Sequence, residues 1–165
     1  MINMRAEDKK LIFFVIKFFV IFFVLYALLF VAPLDFIEEW ISGFEAGILG
    51  LKAEGKEIFI GENVFVISES CTGFVSGIIL FAVIFSLRKP EIWKKAVIFI
   101  LGFIILFVLN LLRVYAVLYF ALEFGLESAE LLHATSWSVL ALVILLIWYF
   151  LTKKICRIEK FNELL

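Results

Sequence analysis

The sequence predicts an all-α polytopic membrane protein of about four transmembrane helices, with an outward-facing amphipathic helix and a short β-hairpin. Three observations predict it. Of 165 residues, 65% are apolar, 21 are Phe and only 19% are charged. Soluble domains run at about 45–50% apolar and about 25% charged, so so small a chain lacks the polar area to cover a water-soluble globule. Four stretches are long and apolar enough to enter a bilayer core about 30 Å thick. The charges, finally, are sorted by sign along the chain.

The first span covers 11–32 and is stopped by Pro33. Its apolar run is too long for a signal peptide and lacks a small-residue cleavage site, so it reads as retained. The second covers 72–87 and stops at Arg88-Lys89-Pro90; the third covers 96–112; the fourth covers 136–151, ahead of Lys153 and Lys154. Lys and Arg accumulate in cytoplasmic loops. With both termini cytoplasmic, 12 of the 15 basic residues lie inside, and 11 of the 16 acidic residues lie in the outer segments 34–70 and 113–135. The expected location is therefore the cell membrane, multi-pass, with 1–165 forming one integral membrane domain. Lys17, shortly inside the first span, reads as a headgroup anchor whose stem snorkels.

In the first outer segment, Phe36, Trp40, Ile41 and Phe44 recur at helical spacing opposite Glu38, Glu39 and Glu45, which suits a helix in the interface. Ile58 to Ile60 and Val64 to Ile67 flank Gly61-Glu62-Asn63 and read as a hairpin. In the second, Gly125 is a helix stop. Whether Val114 to Phe124 continues the third helix is open at this level.

Ionisable groups in or near a membrane are costly unless paired or used. Here they gather at the outer helix ends. Cys71 lies in Glu69-Ser70-Cys71-Thr72-Gly73 before the second span, Arg113 follows Asn110 at the end of the third, and His133 precedes the fourth. The unpaired N–H groups of a helix start favour an anionic thiolate. Ser70 is expected to cap that helix, and Gly73 to let a substrate carbonyl approach the backbone. Arg113 would bind a developing oxyanion, and His133 would carry a proton. Together these make a nucleophilic cysteine site.

Each residue also has a plain reading. Cys71 alone suits packing, Arg113 a headgroup anchor, His133 a polar surface, and Asn110 a bond between helices. Glu123, Glu127 and Glu130 share a helical face and read as solvated. Cys71, His133 and Glu69 lack a recognised metal-ligand spacing, so neither metal nor cofactor is expected. Nothing in the sequence is a basic nucleic-acid-reading face or motif.

In Cys71-Thr72-Gly73, Asn110-Leu111-Leu112-Arg113 and then His133, in that order and over roughly Glu69 to Trp137, the chain resembles the archaeosortase/exosortase family of membrane cysteine transpeptidases, as a short member. The resemblance implies catalytic Cys71, Arg113 and His133, with Asn110, Gly73, Ser70 and Glu69 in support. It implies cleavage of C-terminal sorting signals (a motif, an apolar span and a basic tail) on exported proteins, through a Cys71 thioester. The new C-terminus would pass to an amine acceptor, with a membrane lipid as the expected one. The alternative is a non-catalytic small membrane subunit binding lipid or a partner protein through Arg113 and the outer glutamates. A thiol oxidoreductase is disfavoured, because it wants paired cysteines on one side and Cys156 falls in the cytoplasmic tail.

Overall fold

The computed structural model describes residues 6–157, so the expected cytoplasmic placement of 1–5 and 158–165 lies outside the described residues. Helix α1 (Ala6–Val31) ends ahead of Pro33 and is followed by α2 (Asp35–Leu49), strands β1 (Lys52–Glu54), β2 (Glu57–Ile60) and β3 (Asn63–Val66), and a 3-10 turn, Glu69–Cys71. Helices α3 (Phe74–Ser86), α4 (Ile92–Phe124) and α5 (Leu126–Cys156) complete the order.

Three helices are long and apolar enough to cross a membrane: Asp8–Val31, Ile92–Phe124 and Leu126–Cys156. The second expected span is shorter than 72–87, since α3 has 13 residues and rises only about 20 Å. It packs against α1, α4 and α5, with Leu80 and Ala82 fully buried and Ile84 nearly so. Enclosed by protein, its ends do not each have to meet water. The α3/α4 crossing is close because glycines face each other's neighbours. A Cβ on Gly77 would lie 2.6 Å from the Phe103 ring, and one on Gly102 would lie 2.7 Å from Leu80. Small residues let membrane helices approach in this way where lipid offers no hydrophobic drive.

The expected outer segment 113–135 is helical except at its middle. Helix α4 runs unbroken through Arg113 to Phe124, and Gly125, at φ 83°, is the break before α5. At 33 residues, α4 rises about 50 Å, more than the roughly 30 Å hydrocarbon core, so the α4/α5 hairpin projects beyond it. Arg113 and His133 are accordingly positions within helices and do not close or precede spans.

The expected hairpin is β2 and β3, antiparallel, with Ile58 opposite Phe65 and Ile60 opposite Asn63. Strand β1, which the sequence did not disclose, pairs antiparallel with β2, setting Lys52 opposite Phe59. Three residues are too few for a period-2 signal to register.

Helix α2 has the two faces expected of an interfacial helix, except that Ile41 lies with the acids and Glu39 with the exposed side. Its acids Glu38 (2% exposed) and Glu45 (1%) face inward beside Ile41, while Phe36 (79%), Trp40 and Phe44 face outward. A membrane surrounds the fold with an apolar medium, so the aromatic stripe belongs outside. The β1–β2 turn provides a partner for one inward acid: Lys56 Nζ lies 3.2 Å from Glu38 and also 3.6 Å from the exposed Asp35, and this pairing raises the Lys56 pKa.

Glu45 has no such partner, and both its oxygens are buried without a hydrogen bond among the described residues. Burial pushes its carboxyl up to about 7 from an ordinary 4.5. Between those values the folded chain holds a proton that the unfolded chain has released. The associated stability is complete below pH 4.5 and is lost as pH rises through about 7. Thermal unfolding in detergent should show the melting temperature falling between these pH values, and Glu45→Gln should flatten that fall. An unchanged slope in the variant would remove Glu45 as its cause.

Candidate active site

The sheet, the 3-10 turn and the α4/α5 hairpin enclose a cleft of about 280 Å3, and Cys71, Arg113 and His133 all line it. Phe65 and Val66 of β3 form one wall, and Glu130 of α5 stands beside His133. Three residues distant in sequence therefore open into one space, from the turn, α4 and α5 respectively.

The turn carrying Cys71 is held from α4. Asn110 Nδ2 donates to the Cys71 carbonyl at 2.6 Å, and Arg113 Nη2 donates to the Ser70 carbonyl at 3.2 Å. Residues three apart share a helix face, so Asn110 and Arg113 grip two consecutive carbonyls. Within the turn, Cys71 N–H donates to the Ser68 carbonyl at 2.8 Å. The Cys71 Sγ lies 3.8 Å from Ser68 Oγ and 4.0 Å from Ser70 Oγ, while those hydroxyls bond each other at 2.8 Å.

Ser70 is not the cap of α3. That place is taken by Gly73 at φ 82°, without a side-chain cap bond, and the Thr72 hydroxyl accepts from the Phe74 N–H at 3.3 Å. Cys71 thus precedes the helix instead of opening it. The field of a helix end fades within a turn, and Arg113 brings a full positive charge to the same cleft. Nor does the missing Cβ of Gly73 leave room for a substrate carbonyl. The Asn110 side chain occupies it, at 3.2 Å from where a Cβ would stand.

Gly73→Ala combines a left-handed backbone with that crowding, and should cost about 1–3 kcal/mol while loosening the Asn110 grip on Cys71. A lowered melting temperature together with an altered alkylation rate at Cys71 is expected. Wild-type values for both would show that the turn tolerates a side chain.

Arg113 is 8% exposed, and its Cζ lies 4.5 Å from the centre of the Trp137 ring. Only Nη2 is engaged by protein, since Nε and Nη1 are buried without a hydrogen-bond partner among the described residues. Trp137 also reaches His133, its Nε1 donating to Nε2 at a long 3.5 Å, with the two rings edge to face. One indole therefore braces both the guanidinium and the imidazole. Trp137 is a contributor the sequence did not single out, and Glu130, expected on a solvated face with Glu123 and Glu127, lines the cleft instead, the Gly125 break leaving Glu123 on α4; positions 130, 133 and 137 follow one α5 face at i, i+3 and i+7.

Glu69 is exposed and opens elsewhere, into a separate hollow against Tyr26 and Phe30 of α1. The three potential ligands Cys71, His133 and Glu69 are thus not gathered, and no cluster of three or more His, Cys, Asp or Glu able to hold a metal occurs among the described residues. Cys156 ends α5 at the opposite end of the bundle, and both cysteines are free. A thiol, unengaged guanidinium donors and an imidazole in one cleft are the parts that acyl transfer requires.

A family model described as a transmembrane exosortase matches residues 6–150, which contain the whole cleft. No curated protein and no solved structure matches the chain.

Proposed function

Since the chain belongs to the transmembrane exosortase family, we propose that it is a cysteine transpeptidase cleaving C-terminal sorting signals of exported proteins. The observation that carries this reading is the convergence of Cys71, Arg113 and His133 on one cleft, with two Arg113 donors uncommitted. In the reaction, the Cys71 thiolate attacks the scissile carbonyl carbon, and an uncommitted N–H of the Arg113 guanidinium stabilises the oxyanion. As the peptide C–N bond breaks, His133 as imidazolium gives its proton to the departing amine. A thioester remains on Cys71. An acceptor amine, on a lipid headgroup, then attacks that thioester, its proton passes to His133, and the C–S bond breaks.

A route for the substrate is available along β3. The two-residue turn makes Ile60 and Asn63 a hydrogen-bonded pair, and the ladder continues to Ile67 N–H on the Lys56 carbonyl at 2.9 Å. By alternation the backbone groups of Val64 and Val66 point to the open edge. An extended peptide paired there gains main-chain hydrogen bonds with little demand on sequence, and Val66 leads into the cleft. The sorting of basic residues supports an orientation with the cleft outside and Cys156 inside. A substrate anchored by its own apolar span would reach such a site within the bilayer plane.

Two cysteines at opposite ends allow a direct test. In intact cells, a membrane-impermeant maleimide should label Cys71 and leave Cys156 unlabelled until the cells are permeabilised. In detergent, an extended tripeptide chloromethyl ketone should alkylate Cys71 far faster than Cys156, and Val66→Pro should remove that advantage while iodoacetamide labelling is unchanged. Labelling of Cys156 alone in intact cells would overturn the exported-substrate reading. Equal rates at both cysteines would overturn the nucleophile.

A further inference from the structure

At the end of the bundle away from Cys71, the first turns of α1 and the end of α3 enclose a second cleft, of about 370 Å3. Lys10, Phe13, Phe14 and Lys17 line it from one α1 face, at the i, i+3, i+4, i+7 spacing of a helix stripe. Lys9 joins them, and Arg88 faces them from just beyond α3. Ser86 also lines the cleft, but its hydroxyl is committed to the Ala82 carbonyl. The contacts on offer are therefore cationic.

Behind this wall lies Lys95 of α4, 7% exposed. Its ammonium donates at 2.6 Å to the carbonyl of Leu87, the residue between Ser86 and Arg88. Lys17 is near enough to act on it electrostatically. Neither Lys17 nor Lys95 is ion-paired with a carboxylate among the described residues. A buried cation without a counter-ion costs several kcal/mol, and neighbouring like charges add repulsion. Headgroup anchoring accounts for exposed lysines at a helix end, but not for Lys95, buried without a counter-ion next to this basic cluster.

We propose that this cleft binds the phosphate of an anionic phospholipid headgroup. Lys10 and Lys17, about 10 Å apart along the helix, bracket the phosphate together with Arg88, and the charge neutralises the surroundings of Lys95. Phe13, 67% exposed, and Phe14 flank the opening with apolar surface that suits the adjoining acyl chain and not a free anion. Basic pockets between membrane helices recognise lipid headgroups by this chemistry. The site is independent of the Cys71 reaction.

The test is lipid retention by the purified chain, read by native mass spectrometry with dioleoyl-phosphatidylglycerol against dioleoyl-phosphatidylcholine. Wild type should retain one phosphatidylglycerol and resist excess inorganic phosphate. Lys10→Gln with Lys17→Gln should lower retention at least about tenfold, and Lys10→Arg with Lys17→Arg should preserve it. Lys153→Gln with Lys154→Gln, a basic pair in the last turn of α5 outside the cleft, should leave it unchanged. If the doubly neutralised α1 variant does not fold, Arg88→Gln at its exposed position gives the same reading. Equal loss in the α5 pair, or equal retention of phosphatidylcholine, overturns the site. Displacement of the lipid by inorganic phosphate overturns the lipid as its ligand and leaves a free phosphate in its place.

Discussion

Cys71→Ala is expected to abolish cleavage of an exported substrate, by roughly 10⁴-fold or more, as removal of a catalytic nucleophile does elsewhere. The variant should remain folded. Cys71 is held through its backbone, by Asn110 Nδ2 on its carbonyl at 2.6 Å and by its own N–H on Ser68, and Ala keeps both bonds. Cys71→Ser should be nearly as inactive, since a hydroxyl needs a strong adjacent base to act as a nucleophile, and the groups in hydrogen-bond contact with the Cys71 Sγ are the Ser68 and Ser70 hydroxyls. His133→Ala should behave differently, slowing turnover by roughly 10²- to 10⁴-fold, the usual worth of general acid/base catalysis, while thioester formation stays detectable. Substrate processed by Cys71→Ala at an appreciable rate would end the transpeptidase assignment. Full rate in His133→Ala would leave Cys71 in place and move the proton to water or to Glu130, the other titratable lining residue of α5.

Arg113→Lys is expected to lose about 10²- to 10³-fold in kcat, comparable to loss of an oxyanion-hole donor, although the charge is conserved. The guanidinium holds the Ser70 carbonyl with Nη2, lies over Trp137 at 4.5 Å, and still has Nε and Nη1 free. An ammonium is a point charge without a planar fork and cannot do all three at once. Iodoacetamide labelling of Cys71 separates the two parts of the role. A labelling rate near wild type with kcat reduced assigns the loss to the transition state, whereas a changed labelling rate assigns it to the grip on the turn. Near-normal turnover would reduce Arg113 to that grip alone. Arg113→Ala is a poorer probe, because it leaves a buried carbonyl without its donor.

The site was legible in outline from the order of its residues. Cys71, Asn110, Arg113 and His133 each stand out as polar groups set in apolar sequence, and membrane physics makes such groups conspicuous. Their duties were less legible. Spacing shows that Asn110 and Arg113 share a face, but not that they hold the Cys71 and Ser70 carbonyls. Ser70 has the chemistry of a cap, yet the chain begins α3 with Gly73 in a left-handed conformation, because the Asn110 side chain fills the space a Cβ would need.

The sequence by itself determined the membrane class, the approximate helices, the Gly61 turn of the hairpin and the Gly125 break. These follow from one-dimensional signals, hydropathy and turn chemistry, that each segment carries without reference to any other. Only the tertiary structure decided which face of α2 turns inward, that β1 adds a third strand, that α3 is short and enclosed, and that Trp137 braces both Arg113 and His133. Amphipathicity shows that a helix has two faces, but the solvent on each side chooses between them, and here lipid takes the aromatic one. Contacts such as Arg113 on Trp137 depend on where α4 crosses α5, a distance through space that no spacing along the chain encodes.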